Sequence, residues 1–473
     1  MKKHRINRRV FLGGARSLGT FSLLQSFKSL ANPVINTIAA ENLPERSEFV
    51  VKNAYVMTMD SELGDIANGD VHIRNGEIIA IGKNLLAPTA ETIDGCNQII
   101  LPGLIDTHWH LWTALLRSLS GDTKEQGYFP MTERLGKAYT PEDMYRAVRF
   151  AIAESLFSGI TTVHDFNHNV RNLDYAKAAI RALNETGIRA RFSYGYYQGQ
   201  SPLENTPFEQ ITRLQQVCKA STNHNLLSLG FAPREVLVYD RYRYDWERAR
   251  ELGLPITVHA NSSPREAGEI ERLSRDGLLG KDVLIIHATV VTPAELEHLV
   301  NKKTSVSLTP LTEMRGGFGF PPIGELLSAG VLVSLGVDTT ALAGKADLFS
   351  IMKALQSVGN ARAESEFELS PRHVLELATI NGARAMGIAD RVGSLKPGKR
   401  ADLIMLSMMH WNLGVFTEPA HLLVEAAQPS NVEMVVVDGR ILKRNGKLTT
   451  LKVEQIIQDA NDSLKSIRRR ANE

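Results

Sequence analysis

Between residues 101 and 397 short apolar runs alternate with helical stretches, and no other feature of the sequence constrains the fold as strongly. Eight runs read as strands: GLIDTHWH, GITTVHDF, IRARFSYGY, LLSLGFA, LPITVHA, DVLIIHA, SVSLTP and VLVSLGVD. Segments such as PEDMYRAVRFAIAESLFSG, YAKAAIRALNETG and PAELEHLVNK intervene with helical character. Strand–helix alternation is the pattern of a parallel α/β architecture. Eight strands in roughly 300 residues predict a (β/α)8 TIM-like barrel, whose site sits at the C-terminal strand ends. An open doubly wound sheet is the rival, but no glycine-rich phosphate loop follows the first strand.

Two further β-rich patches bracket this segment. FVVKNAYVMTM and DVHIRNGEIIAIG precede it, and ADLIMLS and VEMVVVDGRILKRNG follow it. Asn75-Gly76 and Asp438-Gly439 are hairpin signals, because both central positions of such a turn accept positive φ. The two patches, 41–100 and 398–450, predict a small composite β-sandwich domain built from both chain ends. The tail, 451–473, predicts an amphipathic helix.

Histidines fall at the ends of the barrel strands. His108 and His110 lie two apart on the first strand, so strand periodicity aims both at one face. His259 ends the fifth strand, His287 the sixth and Asp338 the eighth, each after a continuous apolar run. In a barrel these five side chains converge at one mouth. Neutral imidazoles with one carboxylate suit Zn²⁺ or Fe²⁺, and an open coordination position admits a water whose pKa falls toward about 7. A further imidazole and carboxylate beside it can move protons.

The first 40 residues differ in kind from the rest. They hold seven Lys/Arg and no acid. Asn7-Arg8-Arg9-Val10-Phe11-Leu12, followed by GGARSLGTFSLL, resembles a twin-arginine export signal, with Thr37 to Ala40 as a candidate cleavage region. Residues 1–40 are therefore expected to be a signal peptide, the export machinery a partner, and the product periplasmic or exported, with no stable membrane insertion after cleavage. The whole chain carries 54 Lys+Arg against 52 Asp+Glu; 54 less these seven leaves 47, a net charge of −5 for the remainder. Such a balance gives no reason to expect nucleic-acid binding. Cys96 and Cys218, the only two cysteines, exclude a disulfide framework and a Cys-rich zinc site.

Pro102-Gly103-Leu104-Ile105-Asp106-Thr107-His108-Trp109-His110 resembles the first-strand signature of the amidohydrolase superfamily. Leu115-Leu116-Arg117, Ser158-Gly159-Ile160-Thr161-Thr162 with Asp165, Leu335-Gly336-Val337-Asp338 and ELATINGARAMGIADRVGSLKPGKRADL follow in the family's order. The resemblance covers residues 47 to 445 and is to the branch of cytosine deaminase, adenosylhomocysteine deaminase and triazine hydrolases. It implies that His108, His110, His259 and Asp338 hold one divalent metal, zinc being favoured over iron. It also implies that His287 faces the water or the developing oxyanion, and that Asp338 accepts the water's proton. Binuclear members use a lysine on the fourth strand; here that strand reads LLSLGFAPREV, which favours a mononuclear site.

The sequence departs from that pattern at the fifth strand. Deaminases of this branch carry a glutamate three residues after the histidine, and here that position is Ser262, which cannot donate a proton near neutral pH. Glu266 is a substitute or a surface residue of the following helix. Glu313 and Arg315, after the seventh strand, either bind a polar substrate or supply the missing acid, or they pair with each other. On the second strand the Asp165 to His168 end is expected to line the mouth, His164 and Asp165 pointing to opposite faces. Trp112 either stacks on a planar ligand or packs beneath the loop.

These features predict a metal-dependent hydrolase acting on a non-peptide C–N bond of a small cyclic or amide-like compound, as a deaminase or an amidohydrolase. A homo-oligomer is expected. Removal of another ring substituent such as halide, or a non-catalytic exported binding protein on the same scaffold, are the alternatives.

Overall fold

Gly103 is where the chain passes from one sheet to another. A Cβ at this position would lie 2.0 Å from Oγ1 of Thr161, so the crossing admits only glycine. In the computed structural model, which describes residues 43–220 and 225–473, the segment before Gly103 forms β1 (Phe49–Met57), β2 (Asp65–Arg74), β3 (Glu77–Gly82), β4 (Glu91–Asp94) and β5 (Gln98–Pro102). The expected export signal lies outside the described residues.

After Gly103 come the eight strands of the barrel. They are β6 (Leu104–Trp109), β7 (Ile160–Asn167), β8 (Arg189–Gly195), β9 (Leu227–Ala232), β10 (Ile256–Ala260), β11 (Val283–His287), β12 (Ser305–Leu308) and β13 (Val333–Leu335). Each pairs in parallel with its sequence neighbours, and each coincides with one of the eight apolar runs of the sequence. Residues just past β13 close the ring onto β6: the Asp338 amide donates to His108 O at 2.7 Å, and the His110 amide donates to Asp338 O at 2.7 Å. Gly336 permits this closure, since a Cβ there would lie 2.7 Å from His108 O.

The intervening helices start where the sequence offers caps. Helix Pro141–Phe157 opens on a capping box of Thr140 and Asp143, and Pro293–Lys302 on one of Thr292 and Glu295, each with proline in the first turn. Their apolar faces cover the strands, as a sheet buried on both sides requires.

The chain then returns to the first sheet through β14 (Leu403–Ser407), β15 (Val432–Val437), β16 (Arg440–Arg444) and β17 (Lys447–Leu448). This sheet is mixed and nine-stranded, in the order β17-β16-β15-β14-β5-β1-β2-β3 with β4 beside β1. Asn75-Gly76 joins β2 to β3 with φ of 53° and 84°, and Asp438-Gly439 joins β15 to β16 with φ of 53° and 74°. The two turns meet: a Cβ on Gly439 would lie 2.4 Å from Cα of Gly76.

Barrel and mixed sheet are tied by a buried ion pair. Arg189, at the start of β8, donates from Nε and Nη2 to the two oxygens of Asp402 at 2.7 and 2.9 Å. The C-terminal helix, Val453–Arg470, buries Ile456, Ala460 and Ile467, and Arg470 reaches Ala138 O at 2.7 Å and Asp143 at 2.5 Å. Among the described residues no helix is long and apolar enough to cross a membrane.

Candidate metal centre and its cavity

The strand ends bring the expected residues together. His108 lies near the end of β6 and His110 one residue past it, His259 lies on β10, His287 ends β11, and Asp338 stands three residues beyond β13. His287 and Asp338 adopt φ of 77° and 63°, left-handed values that cost a non-glycine residue of order 1–3 kcal/mol. Strain of this kind is kept where the packing around it fixes a side-chain direction that regular strand geometry would not give.

One ligand atom from each of His108, His110, His259 and Asp338 lies within 4.8 Å of the others. Nε2 of His108 and Nε2 of His110 each stand 3.2 Å from Oδ1 of Asp338, and Nε2 of His108 stands 3.3 Å from Nε2 of His259. His110 donates from Nδ1 to the carbonyl of Phe166 at 2.7 Å, which leaves its Nε2 lone pair for the cluster.

Burial pushes His108 down to about 3 and, with the neighbouring imidazoles, holds His259 well below the ordinary histidine value. Burial works against the Asp338 carboxylate, but the His108 and His110 imidazoles against it outweigh burial and hold the acid well below its usual range. The lowered His108 and His259 and the ionised Asp338 are in the protonation states a divalent cation requires. Three nitrogens and one carboxylate oxygen converging within 4.8 Å of one another fit such an ion. The cluster opens into a cavity of about 350 Å³ that is also lined by His287, His168, Ser262 and Glu266.

His287 lies against His259, with ring centroids 5.5 Å apart and planes 23° from parallel. Its Nδ1 is 3.2 Å from Oε1 of Glu313 and 3.2 Å from Oγ1 of Thr309. Burial alone would lower the His287 pKa; the hydrogen bond that Nδ1–H donates to Glu313 and the charge of Asp338 raise it instead.

Several expected substrate contacts take other places. Glu313 does not line the cavity; it is fully buried on the short helix Pro310–Arg315, behind His287. Arg315 is exposed at the end of that helix, outside the cavity, and the two side chains do not pair, because one faces the core and the other solvent. Asp165 is buried in the wall. It accepts from the Leu111 amide at 3.3 Å and from Asn167 Nδ2 at 3.1 Å, and burial pushes it up to about 7. His164 bridges Thr107 O at 2.8 Å and Ser193 Oγ at 2.7 Å, deeper in the barrel. Only His168, of the second-strand candidates, reaches the cavity. Trp112 does not; it is buried in the short 3-10 helix Leu111–Leu116 and donates from Nε1 to His168 Nδ1 at 2.9 Å.

Ser262 lines the cavity, and its amide donates to Oε2 of Glu266 at 3.2 Å. The helix that follows begins only at Glu269, so Glu266 sits before it, half-buried in the cavity wall, and is not a helix-surface residue. The wall also holds residues that the sequence pattern does not mark, Tyr196 and Glu235 among them. Tyr196 stands one residue beyond β8 and Glu235 three beyond β9, and Tyr196 OH donates to Glu235 at 3.4 Å. Burial and the nearby charge of Glu266 raise the Glu235 pKa. The rule that barrel chemistry sits at strand ends would have found both.

Comparison with known proteins agrees with this geometry. The 5'-deoxyadenosine deaminase of Methanosarcina acetivorans is 29% identical over 448 residues, covering 90% of this chain and 100% of the relative. The 5-methylthioadenosine/S-adenosylhomocysteine deaminase of Pyrococcus furiosus is 27% identical, with coverage of 86% and 98%. In three dimensions an adenosine deaminase from Xanthomonas campestris with bound zinc matches with a TM-score of 0.80 at 24% identity, covering 90% of this chain and all of its own. An atrazine chlorohydrolase from Arthrobacter aurescens with zinc matches at 0.77 and 23%, with coverage of 88% and 100%. The model of the amidohydrolase family matches residues 99–442, which span the whole barrel and β14 to β16. With the family's match extending over both sheets and the His/His/His/Asp cluster at the barrel mouth, this chain belongs to the amidohydrolase family.

Proposed function

We propose that the protein hydrolyses the exocyclic C–N bond of a small nitrogen heterocycle of the adenosine class, with release of ammonia. The observation that carries this reading is the cluster of His108, His110, His259 and Asp338 opening, together with His287, into one cavity. These four residues would hold a single divalent ion, zinc in preference to iron. When bound there, such an ion lowers the pKa of a coordinated water toward about 7. Asp338 would accept a proton from that water at its carboxylate and pass it to the leaving nitrogen. His287, protonated and held by Glu313, donates toward the atom that gains charge as the ring carbon becomes tetrahedral. The full-length similarity to deaminases of 5'-deoxyadenosine and of 5-methylthioadenosine supports the substrate class.

Ser262 favours a second reading, hydrolysis of a cyclic amide or urea, because the fifth strand lacks an ionisable donor for a ring nitrogen. Ammonia release by the zinc-loaded protein from 5'-deoxyadenosine, S-adenosylhomocysteine, cytosine and an aminotriazine separates the two. Release from a purine nucleoside is expected. No release from any of them, with turnover of a cyclic amide such as dihydrouracil, would favour the second reading.

Export through the twin-arginine route belongs to the same proposal and rests on Arg8-Arg9 and the acid-free first 40 residues. Replacing both arginines by lysine should retain the protein in the cytoplasm on cell fractionation; unchanged appearance in the periplasm would refute it.

A further inference from the structure

Trp112 and His168 form a unit that the reaction as described does not use. The indole Nε1–H is a donor and cannot accept, so His168 Nδ1, at 2.9 Å, must be the acceptor. A histidine that accepts at Nδ1 is neutral and carries its proton on Nε2. Trp112 is in turn held on several sides. Its carbonyl accepts from Tyr139 OH at 2.9 Å, its ring meets that of Tyr139 edge-on at 5.3 Å, and a Cβ on Gly136 would lie 3.2 Å from its Cη2. The His168 ring lies flat on His110, with centroids 3.8 Å apart and planes 27° from parallel. The ring is therefore fixed in position by the stack and in tautomer by the indole. The bond from Trp112 is the only hydrogen bond of the His168 side chain among the described residues, and the side chain lines the cavity.

We infer that Trp112 locks His168 as a permanent Nε2–H donor that recognises an acceptor atom of the substrate, a heteroaromatic ring nitrogen or a carbonyl oxygen, beside the metal cluster. Trp112 is then a positioning residue, which acts only through the imidazole. The arrangement also explains why a tryptophan follows the first-strand histidines yet stays out of the cavity. With Ser262 in the fifth-strand position, a fixed neutral donor on the second strand gives the site a means of orienting a planar heterocycle. Its recognition role rests on the proposed hydrolysis of such a ring.

The test has two arms. In zinc-loaded protein labelled with ¹⁵N-histidine, the resonance lost in His168→Phe should show the Nε2–H tautomer, and Trp112→Phe should convert it to a mixture. An Nδ1–H signal in the wild type, or a tautomer unchanged in Trp112→Phe, would overturn the inference. In the kinetic arm, His168→Phe keeps a ring on His110 but removes the donor, and should lower kcat/KM for 5'-deoxyadenosine about 10-fold, mostly through KM. His168→Gln, which restores an N–H, should recover part of the loss. Among 1-, 3- and 7-deaza analogues, one should lose the same factor with the wild type and nothing further with His168→Phe. Unchanged kinetics in His168→Phe with full zinc content would also overturn it. If no compound yields ammonia, the proposed reaction fails, and the tautomer arm still decides the state of His168.

Discussion

Oε1 of Glu313 stands 3.2 Å from Nδ1 of His287, and Thr309 closes the same contact with its amide at 2.8 Å from that oxygen. The carboxylate is fully buried and its charge opposes the effect of burial on the imidazole. Glu313→Gln keeps the shape and removes the charge. It should lower kcat by roughly 10- to 100-fold, as losing an outer partner of a site histidine does, with KM little changed. Because Glu313 raises the His287 pKa, the limb of the pH profile on which activity falls as the imidazolium deprotonates should move to lower pH. Measuring kcat from pH 5 to 9 for both proteins checks the direction.

The four clustered side chains act as a set. One equivalent of zinc per chain is expected by metal analysis. Asp338→Asn should reduce that content and lower activity by on the order of 1000-fold or more, since groups that act as a unit fail together. Chelation should abolish activity and added zinc restore it. Two equivalents in the wild type would contradict the single cluster found among the described residues.

Arg189 is the clamp between barrel and mixed sheet. Its guanidinium pairs with both oxygens of Asp402 and lies 3.9 Å from Asp438. Arg189→Met would leave the buried Asp402 carboxylate with only the Asp438 amide, at 2.8 Å, while Asp438 keeps Arg46, Arg400 and Arg440. A loss of about 3–5 kcal/mol is expected in urea unfolding. Arg189→Lys should fall between, because an ammonium cannot reproduce the two-pronged contact.

Lys443 on β16 makes stability depend on pH in the alkaline range. It is fully buried, donates from Nζ to Phe157 O at 2.6 Å, and lies 3.9 Å over the Phe157 ring. Burial pushes its pKa down to about 8 from the ordinary 10.5. Between those values the unfolded chain binds the extra proton, so stability rises with pH across that window and the penalty is constant below it. The gain is up to about 3 kcal/mol at 1.36 kcal/mol per pH unit. Lys443→Met should remove the rise, as unfolding midpoints at pH 7.5 and 10 will show.

The barrel and its metal cluster were legible because one signal served for both. A continuous apolar run identifies a buried parallel strand, and the polar residue that ends it marks the mouth; His259, His287 and Asp338 all obey that grammar. Glu313 and Trp112 were not legible in their roles. Each follows a strand by a few residues on a short helical turn, and the direction of that turn is set by packing against other strands. Glu313 is folded back onto His287 and Trp112 sideways onto His168, contacts across 26 and 56 residues of chain. The place of Asp165 is hidden for a related reason: its partners are the Leu111 amide, at the start of the short helix Leu111–Leu116, and its neighbour Asn167, neither visible in strand alternation.

The central position of β14 in the mixed sheet has a consequence for synthesis. β5 pairs with β14 along its whole length, Gln98 opposite Ser407 and Pro102 opposite Leu403. A ribosome therefore releases the entire barrel before the first hundred residues meet the strand that covers their open edge. During that interval β5 presents unpaired backbone groups on an apolar strand, the kind of edge that recruits other chains. A chain stopped short of Leu403 would carry a complete barrel and still be prone to aggregate, so the last strands to emerge decide whether the product stays soluble.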